Sequence, residues 1–312
     1  MLVRIAASLY WLSRYVERAD YVARLVQVAG HMSAVRPDAE LGSEWRSALV
    51  AAGVEEAFSE THAFSEAAAI DYLAFDPENP SSIVSCIETA RRNARAVRTA
   101  LTTEMWEAIN GTWLELSMRR HAARSSDDLI RFLDWVKERA GLFQGIYAGT
   151  MLRMDGFHFT RLGQFLERAD NTARLLDVKY HVQLPSVNDV GGVIDHYQWL
   201  AILRVVAARR AYRVLFKGVV EPRHVAELLI LRPEFPRSLR YCYEHLASHL
   251  DQIKGQDANR SAEAKRLANQ LHVQLRYAHI DTIMSGGLHE FLSDVVERND
   301  VLGREIARAH LF

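Results

Sequence analysis

The sequence predicts an all-α protein, an internally duplicated multi-helix bundle with pseudo-twofold symmetry. Three observations carry this expectation. Only 7 prolines and 16 glycines occur in 312 residues, and both residue types interrupt helices. Apolar residues recur at helical spacing, and no segment shows the convincing period-two alternation of a strand. The chain also repeats itself once along its length.

The repeat falls in four blocks. Leu12–Val28 aligns with Leu162–Val178, so Glu17, Arg18 and Asp20 recur as Glu167, Arg168 and Asp170, and Ala23, Arg24 and Leu25 as Ala173, Arg174 and Leu175. Trp45, Leu49, Ala57 and Phe58 match Trp199, Leu203, Ala211 and Tyr212. Pro77, Glu78, Pro80, Ser82, Cys86 and Glu88 match Pro233, Glu234, Pro236, Ser238, Cys242 and Glu244. Phe132, Leu133, Val136, Glu138 and Arg139 match Phe291, Leu292, Val295, Glu297 and Arg298. The blocks keep their order and their offset grows slowly, which marks a duplication with units 1–148 and 149–312. Two copies are too few for a solenoid. They are expected to form one compact double unit, packed about a pseudo-twofold axis with each covering the other's apolar face.

Element by element, the first charged helix runs from about Val3 to Met32, and its repeat from about Phe157 to Gln183. Leu12, Tyr15, Val16, Ala19, Ala23 and Val26 share one apolar arc, and Tyr10, Tyr21, Leu25 and Val28 a second. A helix apolar almost all round belongs at the centre of a protein. Pro80-Ser81-Ser82 opens another helix with serine as N-cap, and Ser126-Asp127-Asp128 opens one with acids at the positive end of the dipole. Segments 193–216, 236–253, 259–284 and 287–310 read as further helices. Asp189–Gly192 and Arg232–Pro236 read as loops.

Composition bounds the function. Hydrophobic residues make up 49% and charged residues 25%, with net charge −1, so neither nucleic acid nor an anionic membrane is an expected partner. Two cysteines make no disulfide scaffold and point to a cytoplasmic setting. The apolar run Ile5–Leu12 ends at Ser13 and Arg14, and no later stretch reaches the roughly 18 apolar residues a spanning helix needs. Neither a signal peptide nor a transmembrane helix is expected.

The repeated Glu-Arg-Ala-Asp-x-x-x-Ala-Arg motif carries the chemistry. Glu17, Asp20 and Arg24 share a face, and Asp20 pairs with Arg24 one turn on. Arg18 points about a quarter turn from Glu17. Ser13 and Gly163, one turn before each glutamate, leave room for a close helix or a ligand. One reading is structural: buried ion pairs in which Glu17 meets Arg168 or Arg174 across the twofold, and Glu167 the reverse. The other is an anion or amino-acid site, with arginines gripping a carboxylate or phosphate and glutamate orienting them or taking a proton. The candidate residues are Glu17, Arg18, Asp20, Arg24, Glu167, Arg168, Asp170 and Arg174. His158 and Arg161, with Asp155 upstream, are placed to join them.

Other signals are weaker. Cys86 and Cys242 are repeat equivalents on apolar faces and read as buried structural thiols. His245 and His249, one turn apart beside Glu244, are a two-ligand metal face at most, and the aligned Glu88–Arg92 has no histidine, so neither metal nor cofactor is expected. Arg91, Arg92, Arg95 and Arg98 wrap around their helix as a solvated surface. A P-loop, a dinucleotide fingerprint, a nucleophile elbow and a Cys-x-x-Cys pair are all missing.

The motifs together resemble the alpha-E domain family. The resemblance rests on Met1–Arg24, Asp76–Arg98, Glu104–Glu107, Met151–His181 with its FLERADNTARLLDVKYH, and Pro233–Arg240. Residues 254–285 match the family core less clearly. The resemblance implies a bacterial, cytoplasmic, all-helical protein whose family motif maps to Glu17, Arg18, Glu167 and Arg168. It implies a circularly permuted ATP-grasp protein as neighbour or fusion partner, and often a transglutaminase-like protein, in a system for peptide modification or amide ligation. The lead expectation is an accessory helical subunit that binds the ligase partner and its substrate. An enzyme with a Glu/Arg site acting on amides or peptides, and a purely architectural protein, are the alternatives. Homo-oligomerisation stays open.

Overall fold

The computed structural model describes residues 2–35, 43–122, 125–181, 192–253 and 258–312. These residues form fifteen α-helices and one short 3₁₀ turn at Arg98–Ala100, with no strand among them. In order the helices are α1 Val3–Val35, α2 Ser43–Ala52, α3 Glu55–Thr61, α4 Glu66–Ala74, α5 Ile83–Ala96, α6 Thr103–Ala122, α7 Ser126–Thr150, α8 Asp155–His181, α9 Val193–Val205, α10 Arg209–Phe216, α11 Pro222–Leu231, α12 Leu239–Gln252, α13 Ala258–Tyr277, α14 Ile280–Gly286 and α15 Leu288–His310.

The two charged helices, α1 and α8, pack on each other at the centre. α1 also meets α5 and α7, and α8 meets α12 and α15. This is why both helices are apolar on more than one side: Leu9, Leu12, Ala23 and Val26 of α1, and Leu162, Phe165, Ala169 and Ala173 of α8, are all buried. Contacts climb both helices together, Tyr10 against Gly163, Arg14 against Glu167 and Glu17 against Arg168, so the two run in the same direction. The approach at Gly163 is so close that a Cβ there would collide with the Tyr10 carbonyl oxygen. Of the two uses foreseen for that small residue, helix contact is the one realised.

Several expected boundaries hold. Ser82 caps α5 through the Ser85 N–H, and Ser125 caps α7 through the Asp128 N–H. Arg232–Pro236 is a turn leading to α12, which Ser238 caps through the Tyr241 N–H. The expected loop at 189–191 lies outside the described residues. Two expected helices are each broken in two. Segment 193–216 divides at Ala207, whose φ of 56° is left-handed, into α9 and α10. Segment 259–284 divides at Ala278 and His279, where His279 is extended, into α13 and α14. Neither break carries a glycine or proline, which is why periodicity ran through them.

Candidate functional site at the paired helices

At the α1–α8 interface the two Glu-Arg motifs face each other. Because Glu17 and Arg18 project about a quarter turn apart, they reach different partners. Glu17 accepts from Arg168 Nε and Nη2, both at 2.8 Å. Glu167 accepts from Arg18 Nε at 2.5 Å and Nη2 at 3.2 Å. The exchange is reciprocal and bidentate in both directions, the strongest geometry available to this pair.

Each glutamate also holds a second arginine from outside the motif. Arg14 donates to Glu167 at 2.7 Å from one turn earlier on α1. Arg237, in the turn before α12, bridges Glu17 at 2.6 Å and Asp20 at 2.8 Å. Gln144 of α7 completes the Glu17 shell at 2.9 Å. Both carboxylates are essentially sealed, Glu17 at 0% and Glu167 at 2% exposure, while the Arg14 and Arg18 side chains keep 16% and 23%.

The electrostatics follow from this packing. Burial would push the Glu167 carboxyl up, but the charges and hydrogen bonds of Arg18 and Arg14 outweigh it and hold the group down at about 2. Burial likewise opposes ionisation of Glu17, and Arg168 and Arg237 overcome it, so its pKa is also lowered. Both are carboxylates at neutral pH with every oxygen engaged. Neither has an oxygen free to take a proton from a substrate.

A family model described as a predicted alpha-helical domain with a conserved ER motif matches residues 1–311. The chain belongs to the Alpha-E family. The match runs through 254–285, the stretch where the sequence resemblance is weakest. Similar curated proteins include an uncharacterized protein of Mycobacterium bovis and one from each of two Mycobacterium tuberculosis strains. All are 24% identical over 327 aligned positions. The chain spans about a third of their length: the match covers 97% of this chain and 36% of each relative. No solved structure matches it significantly.

In this Alpha-E protein the remaining candidates sort into two places. Asp20 and Asp170 pair one turn along with Arg24 and Arg174, at 2.9 and 2.7 Å. Arg174 therefore stays with its own helix, and it is Arg168 that reaches Glu17. His158 faces α12 instead of the glutamates, its Nδ1 2.9 Å from His249 Nδ1, and Arg161 donates to Tyr147 of α7 and to Gln164 of its own helix. Cys86 and Cys242 are fully buried, and burial pushes both thiols up to about 12, as expected of structural cysteines. The sequence reading missed Arg14, Arg237 and Gln144. Arg14 is one turn from the motif and could have been found by helical spacing. Arg237 and Gln144 arrive through tertiary packing alone. No described helix is long and apolar enough to cross a membrane.

Proposed function

We propose that this Alpha-E chain is an accessory helical subunit of a cytoplasmic, ATP-grasp-linked system for peptide or amide-bond formation, and that its Glu-Arg motif is the lock between two diverged copies of one unit. The observation that carries this reading is the reciprocal pairing of Glu17 with Arg168 and Glu167 with Arg18, in which both carboxylates are saturated by arginine. A general base needs a pKa near the working pH and an oxygen within reach of substrate. A carboxyl held near 2 under two guanidinium groups has neither, which weighs against a catalytic Glu-Arg site.

Duplication about an approximate twofold is supported by the matching order of contacts, α1 with α5 and α7, α8 with α12 and α15. It is also supported by the serine caps at Ser82 and Ser238. The partner assignment is supported by the resemblance and by the curated relatives, in which the matched unit is one part of a longer chain.

The test is co-purification of the full chain with its neighbouring circularly permuted ATP-grasp protein, and with the transglutaminase-like protein where one is encoded. Association at micromolar concentration is expected with the ATP-grasp protein, and failure to associate would sink the accessory-subunit reading. Glu167→Gln separates lock from enzyme. A variant that folds with native stability yet abolishes product in the reconstituted system would favour the enzyme.

A further inference from the structure

Six arginines at the centre, Arg14, Arg18, Arg24, Arg168, Arg174 and Arg237, each hold a carboxylate. Arg161 does not. Among the described residues its guanidinium has only neutral acceptors, Tyr147 Oη at 3.2 Å and Gln164 Oε1 at 2.7 Å. Its Nε is buried without a hydrogen-bond partner. A cation taken partly out of water without a counter-charge is costly and calls for an anion.

The surroundings are built to receive one. Arg161 lies over the Phe165 ring at 4.3 Å. The imidazoles of His245 and His249, one turn apart on α12, stack on the same ring with centroids at 4.9 and 5.9 Å and planes within 13° and 16°. His158, one turn before Arg161, closes the group through its 2.9 Å contact with His249. All three imidazoles are only half-buried. The charged groups that act on them are Arg161, Arg168, Asp155 and Arg153 from the α8 side and exposed Glu244 from α12. Burial first, and Arg161 second, lowers both His245 and His249, the latter to about 3. A divalent cation would be repelled by the same arginines. Among the described residues no group of three or more ligating side chains is placed to hold a metal.

We propose that the seam between α8 and α12 binds a small oxyanion, a phosphate or carboxylate group, gripped by Arg161, by an imidazole N–H of His245 and by the Nε2–H of the ring that accepts in the His158–His249 Nδ1 contact. Arg161 supplies the fixed charge and the planar donor fork. The histidines supply donors that strengthen as the anion draws protons onto them. The site lies beside the Glu-Arg lock but uses none of its carboxylates, so it can exist whether or not the lock reading holds.

The test is a titration of the full chain with inorganic phosphate, and separately with acetate, following the imidazole ¹⁵N resonances. A saturable shift confined to His158, His245 and His249 is expected. Tighter phosphate binding assigns a phosphate-bearing ligand and tighter acetate binding a carboxylate. Arg161→Gln should weaken binding about tenfold or more with helicity unchanged. If that variant misfolds, His249→Gln, which leaves the Arg161 hydrogen bonds in place, should weaken it instead. Shifts no larger than those of exposed His62 and His121, or a folded Arg161→Gln or His249→Gln that binds as the parent does, would overturn the proposal. A response to zinc alone would overturn it as well.

Discussion

Each motif glutamate is enclosed by two guanidinium groups; neutralising Glu167 strands both of its arginines, whereas Arg237 beside Glu17 would keep Asp20. Glu167→Gln leaves Arg14 and Arg18 without a counter-charge in a half-buried site, where loss of one partner costs about 3–5 kcal/mol. The 16% and 23% exposure of these arginines favours the lower end. Urea denaturation should show it as a fall in midpoint at unchanged slope, and a loss below about 1 kcal/mol would place the pair among ordinary surface bridges. Gly163→Ala is a second test. Its Cβ would meet main-chain Tyr10, which cannot rotate away, so α1 and α8 must separate at a cost of about 1–3 kcal/mol or more. At this scale the sequence was legible where it repeats and opaque where it does not. Glu17, Arg18, Glu167 and Arg168 stood out because each occurs twice. Arg14 aligns with Gln164, and Arg237 with Ser81, so the second arginine of each cage left no repeated signal.

Helix ends carry a sharper comparison. α2 ends with Gly53 in the left-handed region at φ 69°, its N–H bonded to the Val50 carbonyl and the Val54 N–H to that of Leu49. α9 ends with the same pattern: Ala207 N–H to Arg204, and Ala208 N–H to Leu203. Ala207 occupies that turn at φ 56° with a Cβ, a conformation that costs roughly 1–2 kcal/mol for an L-residue. Glycine loses more entropy on folding, which takes back part of the gain. Ala207→Gly should therefore stabilise the chain by up to about 1 kcal/mol, read as a rise in thermal midpoint, and a loss of stability would refute the strain. The same turn explains the missed break in 193–216. In Gly53 the stop is written in the sequence, whereas at Ala207 tertiary packing imposes it on a residue that favours helix. Ser82 was easier to read because a cap's chemistry is local.

For the whole molecule the charged centre and the α8–α12 seam together set the response to acid. His249, at an ordinary value of 6.5 when unfolded, is lowered to about 3 by burial and the charge of Arg161. The unfolded imidazole thus binds a proton the folded one refuses. Its contribution is full above pH 6.5 and declines as the pH falls toward 3. Glu167 moves from an ordinary 4.5 to about 2, because Arg18 and Arg14 outweigh its burial. Its contribution, on the order of 3 kcal/mol, is present above 4.5 and lost as the pH falls through 2. Glu17 acts in the same sense. Stability from urea melts should accordingly fall in two overlapping stages on acidification, the first from the lowered imidazoles, His249 foremost with His158, His245, His272 and His310 in the same sense, and the second from the glutamates. His249→Gln should shrink the first stage and leave the second. A parent profile level from neutrality down to about pH 4.5 would show that His249 is not held neutral by its surroundings. The buffer has to be free of phosphate and carboxylate. An oxyanion on Arg161 would cancel the charge that lowers His249, raise its pKa, and shift the first stage to higher stability at mildly acidic pH. Repeating the melts with added inorganic phosphate turns this into a prediction linking stability to the seam: phosphate should rescue the parent between about pH 6.5 and 4.5 and leave Arg161→Gln unrescued.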